Sequence, residues 1–201
     1  MSNPTTPSAP VPPTPPTPPT TVYVNFYSPI NDTTANKFMA ACAEIIKLEN
    51  PTTIHFLFAS SGGSVDAGIA IYNYLRSLPI KIIMHNNGSI DSIANVIFHA
   101  ADERIATPHA TFLFHGVAVP LEKVNLSRAQ IQELLNQIVA LETKIANILS
   151  GRCNLTIPEL QNLFINGETK DTQFAMDKGV IQSVSQIAIP PNAKFYSLNF
   201  T

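Results

Sequence analysis

Hydrophobic and polar positions follow two different periods along the chain. The runs TVYVNFY, from Thr21, and IHFLF, over Ile54–Phe58, are rich in β-branched and aromatic residues, which is typical of strands. Between them, ANKFMAACAEIIKLEN repeats its apolar residues at helical spacing after the capping cluster NDTT. Further strands are predicted over Ile80–His85 and Ala110–His115, each preceded by a helix. This alternation predicts an α/β domain of parallel strands with right-handed crossovers, in which ligands bind at the carboxyl ends of the strands.

The segment Ser127–Ser150 differs from these short elements. Ser127 and Gln130 form a capping box, apolar residues repeat at helical spacing, and Gly151 ends the pattern. A helix of this length rises roughly 34 Å, at about 1.5 Å per residue, which exceeds what a compact domain of this size needs. We expect the helix to project from the core and to pack against a second copy of the chain. A helix layered on its own core is the alternative.

The amino terminus has a different composition. The first 20 residues, MSNPTTPSAPVPPTPPTPPT, contain nine of the 17 prolines. Because proline fixes φ and has no backbone N–H, residues 1–20 are predicted to form a disordered, polyproline-II-like tail. A docking peptide is the alternative interpretation. Residues 21–201 are predicted to form one domain that includes the long helix, at about residues 127–150.

Composition excludes several classes of partner. The formal charge is −2 with 13% charged residues and no dense run of Lys or Arg, which argues against binding to nucleic acid or to an anionic membrane. Cys42 and Cys153 form no CxxC pattern, so neither a disulfide framework nor a zinc site is expected. No apolar run reaches the roughly 18 residues that span a bilayer, and no secretory signal is evident. These features favour a cytoplasmic protein, and the low charged fraction favours an oligomer.

Two turns of small residues, SSGGSV and NNGSIDS, each follow a predicted strand and open a helix. Glycine lets backbones approach closely, and a helix amino terminus directs N–H groups toward developing negative charge, which suits a nucleophile with an oxyanion hole. Ser92 starts its helix, and His115, at the end of TFLF, is the best placed of the five histidines to activate it. The alternative is that Ser92 only caps a helix and His115 only ends a strand.

Taken in order, several segments carry a resemblance to a known family. FASSGGSVDAGIAIYNYL, SIDSIANVIFHAADERIATPHATFLFHG, the long helix and AMDKGVI resemble the Clp protease proteolytic subunit (ClpP) family, especially its divergent members. The likeness runs from Thr21 to about Val184 without large insertions. It implies a ClpP/crotonase-like α/β fold of repeated ββα units, with Ser127–Ser150 as the handle helix that joins two rings face to face.

The resemblance also implies roles for single residues. Ser92 matches the nucleophile and His115 the general base. The backbone N–H groups of Gly63 and Ile93 match the oxyanion hole. Two departures accompany these matches. The family follows its nucleophile with very small residues, whereas Ile93 and Asn95 are larger. A carboxylate directly before the nucleophile, at position 91, would oppose an oxyanion if it faced the site.

The third catalytic position is where the chain departs most from the family. The family places an acidic residue there to orient the histidine and to stabilise its charged form. A gapless alignment puts Gly167 at this position, and glycine cannot do either. We predict Glu168 if the loop is one residue shorter, with Asn166 as the alternative if it is longer upstream. The remaining alternative is a site without a third catalytic residue.

By the same resemblance, the leading functional prediction is a serine endopeptidase that cleaves peptides or unfolded proteins inside a ring-shaped homo-oligomer. Catalysis of this kind needs no metal or organic cofactor, and an unfoldase ATPase would be the partner that delivers substrates. A catalytically silent ring subunit that regulates an active paralogue is the alternative, because the acid is missing. An acyl-CoA enzyme of the related crotonase fold is disfavoured by the Ser–His pair and by the lack of a basic cluster for the CoA phosphates.

Overall fold

The computed structural model describes residues 20–120 and 125–198, so most of the predicted tail lies outside the described residues. Helices and strands alternate over most of this length, which confirms the predicted α/β class. The helices are α1 Asp32–Glu49, α2 Val65–Ser77, α3 Ala94–Phe98, α4 Arg128–Ser150, α5 Ile157–Asn166 and α6 Thr172–Asp177. The strands are β1 Thr21–Tyr27, β2 Thr53–Ser60, β3 Lys81–Asp91, β4 Glu103–Ala106, β5 Thr111–Phe114, β6 Glu168–Lys170, β7 Ser183–Val184 and β8 Lys194–Ser197.

The described strands form one sheet whose order is β6-β5-β3-β2-β1-β8, with β4 paired to β3 and β7 paired to β4. The pairs are parallel except β5 with β6, which is antiparallel. The core between the sheet and helices α1 and α2 contains stacked and edge-on phenylalanine rings, whose centroids lie 5.0–5.4 Å apart. Parallel pairing brings the carboxyl ends of β2, β3 and β5 to the same edge, where the predicted chemistry is located.

Strand β3 is longer than the sequence predicts. Its first part, Ile83–Asn86, pairs with β4, and its second part, Ser89–Asp91, pairs with β5. The segment NNGSID has the composition of a turn, yet all of it continues the strand because β5 offers a second partner. The strand therefore ends directly before Ser92.

Helix α4 begins at Arg128, and Ser127 and Gln130 form the predicted capping box. Near its end, Ile145, Ala146 and Leu149 are buried against the domain. Most residues up to Ala140 are exposed, including an apolar stripe of large side chains that are 52–55% exposed: Ile131, Leu135 and Val139. The first part of α4 thus does not pack against the rest of the described chain. None of the helices in the described ranges has the length and hydropathy needed to cross a bilayer.

Candidate active site

Ser92, His115 and Gly63 line one cavity of about 280 Å³ at the carboxyl ends of β2, β3 and β5. The chain thus brings together three residues that lie far apart in sequence. Apolar side chains from α2, α4 and α5 complete the walls: Val65, Ile145, Leu149 and Phe164. Ser61 adds a second hydroxyl to the lining, and a small space with a serine, an imidazole and apolar walls is suited to acyl-transfer chemistry.

Ser92 occupies a strained turn between β3 and α3. Its φ is +57°, in the left-handed region that costs a residue with a side chain about 1–2 kcal/mol. Its backbone N–H donates to the carbonyl of Leu113 on β5, with an N–O distance of 2.9 Å. This bond stabilises the turn and ties the serine to the strand that leads to His115. Sharp strand-to-helix turns of this kind expose a nucleophilic hydroxyl.

The glycines of SSGGSV are required by close contacts, those of Gly62 with this turn and those of Gly63 with Ile30. A Cβ built on Gly62 would lie 2.7 Å from Ser92 Cβ, and one built on Gly63 would lie 2.1 Å from the carbonyl oxygen of Ile30. Their φ angles, +80° and +142°, also disfavour a side chain. The serine–glycine loop therefore packs directly against the nucleophile turn. The sequence predicted a role for Gly63. The role of Gly62 is evident only from its contact with Ser92 in the structure.

Two backbone donors beside the serine have no acceptor within the described part of the chain. They are the N–H groups of Gly63 and Ile93, although Ser64 N–H donates to Ile30 at 2.8 Å and Ser92 N–H is bonded. Nearly all buried N–H groups in folded proteins are paired, so free donors at Gly63, which lines the cavity, and at Ile93, directly after Ser92, suit an anionic oxygen. Gly68 makes room for the bulky side chain of Ile93, since a Cβ at Gly68 would lie 2.4 Å from Ile93 Cγ1.

His115 is oriented by main chain. Its Nδ1 lies 2.7 Å from the carbonyl oxygen of Gly116. Because a carbonyl can only accept, Nδ1 carries the proton and Nε2 keeps its lone pair, which is the tautomer that a general base needs. Among the described residues, no hydrogen bond joins Ser92 Oγ to the imidazole. A rotation of one of the two side chains would have to precede proton transfer.

The structure does not bring Glu168 or Asn166 to His115. Gly167 lies beside the histidine instead, since a Cβ built on it would be 4.0 Å from His115 Cβ. Glu168 lies opposite Phe114 in the β5–β6 register, and successive side chains of a strand point to opposite faces. Within the described residues, no hydrogen bond joins the Glu168 carboxylate to the imidazole.

Glu168 has other partners on that face. Its carboxylate accepts from Lys170 Nζ at 2.5 Å and from Asn166 Nδ2 at 3.1 Å, and it lines a separate cavity with Leu163 and Phe174. The hydrogen bond from Lys170 is the main cause that lowers the pKa of Glu168, and the bond from Asn166 adds to it.

Asn95 is a buried polar residue that sequence reasoning noted without a role. It is 1% exposed, and its amide nitrogen donates to the carbonyls of Leu113 at 3.0 Å, Ser92 at 3.2 Å and Ile90 at 3.3 Å. These bonds join the end of β3, the serine turn and β5. An Asn in an otherwise apolar helix was the signal available in the sequence. Asp91, the possible source of repulsion, accepts a hydrogen bond from the Ser89 hydroxyl.

Two other histidines, His85 and His99, are buried outside the cavity, and His55 is half-buried there. Burial lowers the pKa of His99 to about 3, helped by the charge of Arg104, and His99 Nδ1 lies 2.7 Å from the carbonyl of Asn95. Burial lowers the pKa of His55 to about 4, and its ring stacks on that of His85 with centroids 5.8 Å apart. Burial also lowers the pKa of His85. These rings are neutral core groups, which leaves His115 as the histidine of the cavity.

The sequence is similar to that of known proteins over most of its length. The family model described as Clp protease matches residues 20–188. The chain is similar to ATP-dependent Clp protease proteolytic subunit 2 of Corynebacterium glutamicum, with 28% identity over 169 residues, or 82% of this chain and 81% of that protein. The subunit 2 of Pseudomonas aeruginosa is 25% identical over 148 residues, covering 68% and 70% of the two chains. That of Mycolicibacterium paratuberculosis is 37% identical over 109 residues, 52% of each.

Proposed function

This chain belongs to the Clp protease family and has its ClpP/crotonase-like fold, and from that premise we propose that it is a serine endopeptidase acting inside a ring of its own copies. The observation that carries the proposal is the cavity shared by Ser92, His115 and Gly63. The free N–H groups of Gly63 and Ile93 support it, because they match the two donors that the family resemblance implies for an oxyanion hole. Peptides and unfolded proteins are the proposed substrates.

The proposed reaction is acyl transfer in two steps. Ser92 Oγ attacks the peptide carbonyl carbon while His115 Nε2 accepts the hydroxyl proton, and the N–H groups of Gly63 and Ile93 bind the resulting oxyanion. The tetrahedral intermediate collapses, the C–N bond breaks, and His115 returns the proton to the leaving amine. Water then attacks the acyl-serine ester with His115 as base, which releases the acid and restores Ser92.

Glu168 stays a prediction as the third catalytic residue. To fill that role its carboxylate would have to leave Lys170 and turn toward the face on which Gly167 lies. The Gly116 carbonyl can hold the tautomer of His115, but a neutral dipole stabilises an imidazolium less than a carboxylate does. We therefore expect a functional but slow enzyme.

Assembly and partners extend the proposal. The exposed stripe Ile131, Leu135 and Val139 supports stacking of two rings through α4, the handle helix of the family. The relatives' names include "ATP-dependent", so an unfoldase ATPase that delivers substrates to this chain is part of the proposal. A single domain over residues 21–201 and a cytoplasmic location stay predictions.

The proposal is tested by intact-mass analysis after treatment with a fluorophosphonate probe. We expect the assembled protein to gain one adduct, and the Ser92→Ala variant to gain none. A protein that gains no adduct across a range of pH and concentration would contradict the proposal.

A catalytically silent ring subunit is the second candidate. Two observations favour it: position 167 lacks a side chain, and no hydrogen bond joins Ser92 to His115 within the described residues. This candidate predicts mixed rings with an active paralogue and no probe adduct on the isolated chain. An adduct that depends on Ser92 would rule it out.

A further inference from the structure

The main chain that follows His115 is held from two sides. Gly116 N–H donates to the carbonyl of Phe164 on α5, with an N–O distance of 2.9 Å. Val117 N–H donates to the carboxylate of Glu142 on α4, with an N–Oε1 distance of 3.0 Å. Hydrogen bonds to α4 and α5, whose contacting residues lie 25 or more positions further along the chain, therefore hold the start of this segment.

The Glu142 carboxylate lies so close to this segment that it would have to shift if Gly116 carried a side chain. A Cβ built on Gly116 would lie 2.6 Å from Glu142 Oε1 and 3.8 Å from its carboxyl carbon. Glu142 is half-buried, and a hydrogen bond from a backbone N–H to a carboxylate is stronger than one between neutral groups. The position of Gly116 is therefore determined by the Glu142 carboxylate as well as by its own bond to α5.

Gly116 in turn orients the imidazole. Its carbonyl oxygen lies 2.7 Å from His115 Nδ1, and it is the recorded hydrogen-bond partner of that ring among the described residues. Within the described residues, no carboxylate forms a hydrogen bond with the ring, and position 167, whose Cβ would lie 4.0 Å from His115 Cβ, is glycine. A small displacement of Gly116 would therefore move the group that holds the tautomer and direction of His115.

Glu142 lies where α4 changes from its exposed first part to the part that packs against the domain. Three residues later, Ile145 is buried and lines the cavity, whereas most residues up to Ala140 are exposed. Residues three apart in a helix lie on the same face, so Glu142 shares the face that meets the site. Its carboxylate is thus carried by the part of the helix that packs against the domain.

We propose that Glu142 is a positioning residue for His115. Through Val117 and Gly116, its carboxylate holds in place the carbonyl that orients the imidazole. Glu142 acts through the backbone and touches no reacting atom. The proposal rests on the serine-peptidase function proposed above.

The test compares Glu142→Ala with Glu142→Gln in the assembled protein. The readout is the rate constant for fluorophosphonate labelling of Ser92. We expect Ala to slow labelling about tenfold or more, and Gln, whose amide oxygen still accepts from Val117, to stay within about threefold of wild type. Glu44→Ala, which removes an exposed carboxylate from α1, is the matched control and should label as wild type does.

Amide hydrogen exchange of the peptide that contains Val117 provides a second readout that needs no activity. We expect protection in wild type and in Glu142→Gln, and loss of protection in Glu142→Ala. Full protection in the Ala variant would overturn the contact. Labelling that is undiminished in Ala, or as slow in Gln as in Ala, would overturn positioning while leaving the proposed function standing. A wild-type protein that is never labelled would refute the proposed function, and this proposal with it.

Discussion

Ser92, the proposed nucleophile, and His115, the proposed base, are held in very different ways. Ser92 sits in a turn that is bonded to β5, spanned by the Asn95 amide and packed against Gly62. Within the described chain, His115 has one recorded hydrogen-bond partner, the carbonyl of its neighbour Gly116. The difference suggests that the nucleophile side is already close to its best arrangement. If the proposed function holds, we expect substitutions on the serine side to lower activity and a carboxylate added on the histidine side to raise it.

Gly63→Ala should have the largest effect, because it tests the tightly held side. Its Cβ would lie 2.1 Å from the Ile30 carbonyl oxygen at a φ of +142°, so we expect a loss of about 3 kcal/mol or more in free energy of unfolding. Displacing this oxyanion donor should slow probe labelling about a hundredfold or more. Gly88→Ala is the control, since its Cβ would meet Ala59 Cβ at an ordinary 3.6 Å. Equal behaviour of the two variants would show that the loop is not held as described.

Gly167→Asp tests the other side, where activity should rise. The nearest heavy atom to a Cβ here is His115 Cβ at 4.0 Å, so a carboxylate has room to reach the imidazole. We expect labelling to accelerate about tenfold or more, because a carboxylate stabilises the imidazolium. The left-handed φ of +63° should cost about 1 kcal/mol in stability. Gly167→Asn is the matched neutral control, and an Asn variant that gains as much as Asp would mean that shape rather than charge is responsible.

Acid should lower the stability of the fold around Ser92. His99 Nδ1 forms a hydrogen bond with the carbonyl of Asn95, the residue whose amide spans the Ser92 turn. The pKa values of His99 and His55 are lowered from 6.5 to about 3 and about 4. The unfolded chain therefore binds protons below pH 6.5 that the native chain does not, and stability falls as the pH drops toward 4. Each histidine should remove at most about 1.4 kcal/mol per pH unit in this window. Urea unfolding at pH 7.5, 6.5 and 5.5 measures the slope, and a flat profile would contradict the assignment of neutral buried rings.

Glu168→Gln should have the smallest effect. If the histidine side lacks a carboxylate, as the contacts of Glu168 with Lys170 and Asn166 suggest, labelling should stay within about twofold of wild type. Thermal unfolding of the same variant should likewise change little. A loss comparable to that of a catalytic residue would instead establish the sequence prediction that Glu168 orients His115.

Local patterns in the sequence predicted most of the fold. The helical spacing and the Ser127–Gln130 capping box predicted α4 to within a residue, because both signals act over a few positions. Strand β3 was predicted too short, since its extension to Asp91 depends on pairing with Thr111–Leu113, about 20 residues later. A turn composition cannot reveal that a second strand is available.

In the candidate site, too, some features could be predicted from the sequence and others depend on contacts between distant residues. Ser92, His115 and Gly63 were singled out by their positions at strand ends and by the resemblance, and they line one cavity. The direction of the Glu168 side chain could not be predicted, because the β5–β6 register decides which face it occupies. The contact of Glu142 with Val117 joins residues 25 positions apart through an irregular segment, for which no sequence pattern exists.

The open space beside Gly167 has an evolutionary consequence. Every glycine codon is a single base change away from a codon for aspartate or glutamate, and the nearest heavy atom to a new Cβ at this position is 4.0 Å away. A single base change could therefore place a carboxylate beside His115, and the fold has space for its Cβ. A lineage that benefits from faster turnover could acquire one in one step, so the glycine marks a state that mutation can leave easily and that selection would have to maintain.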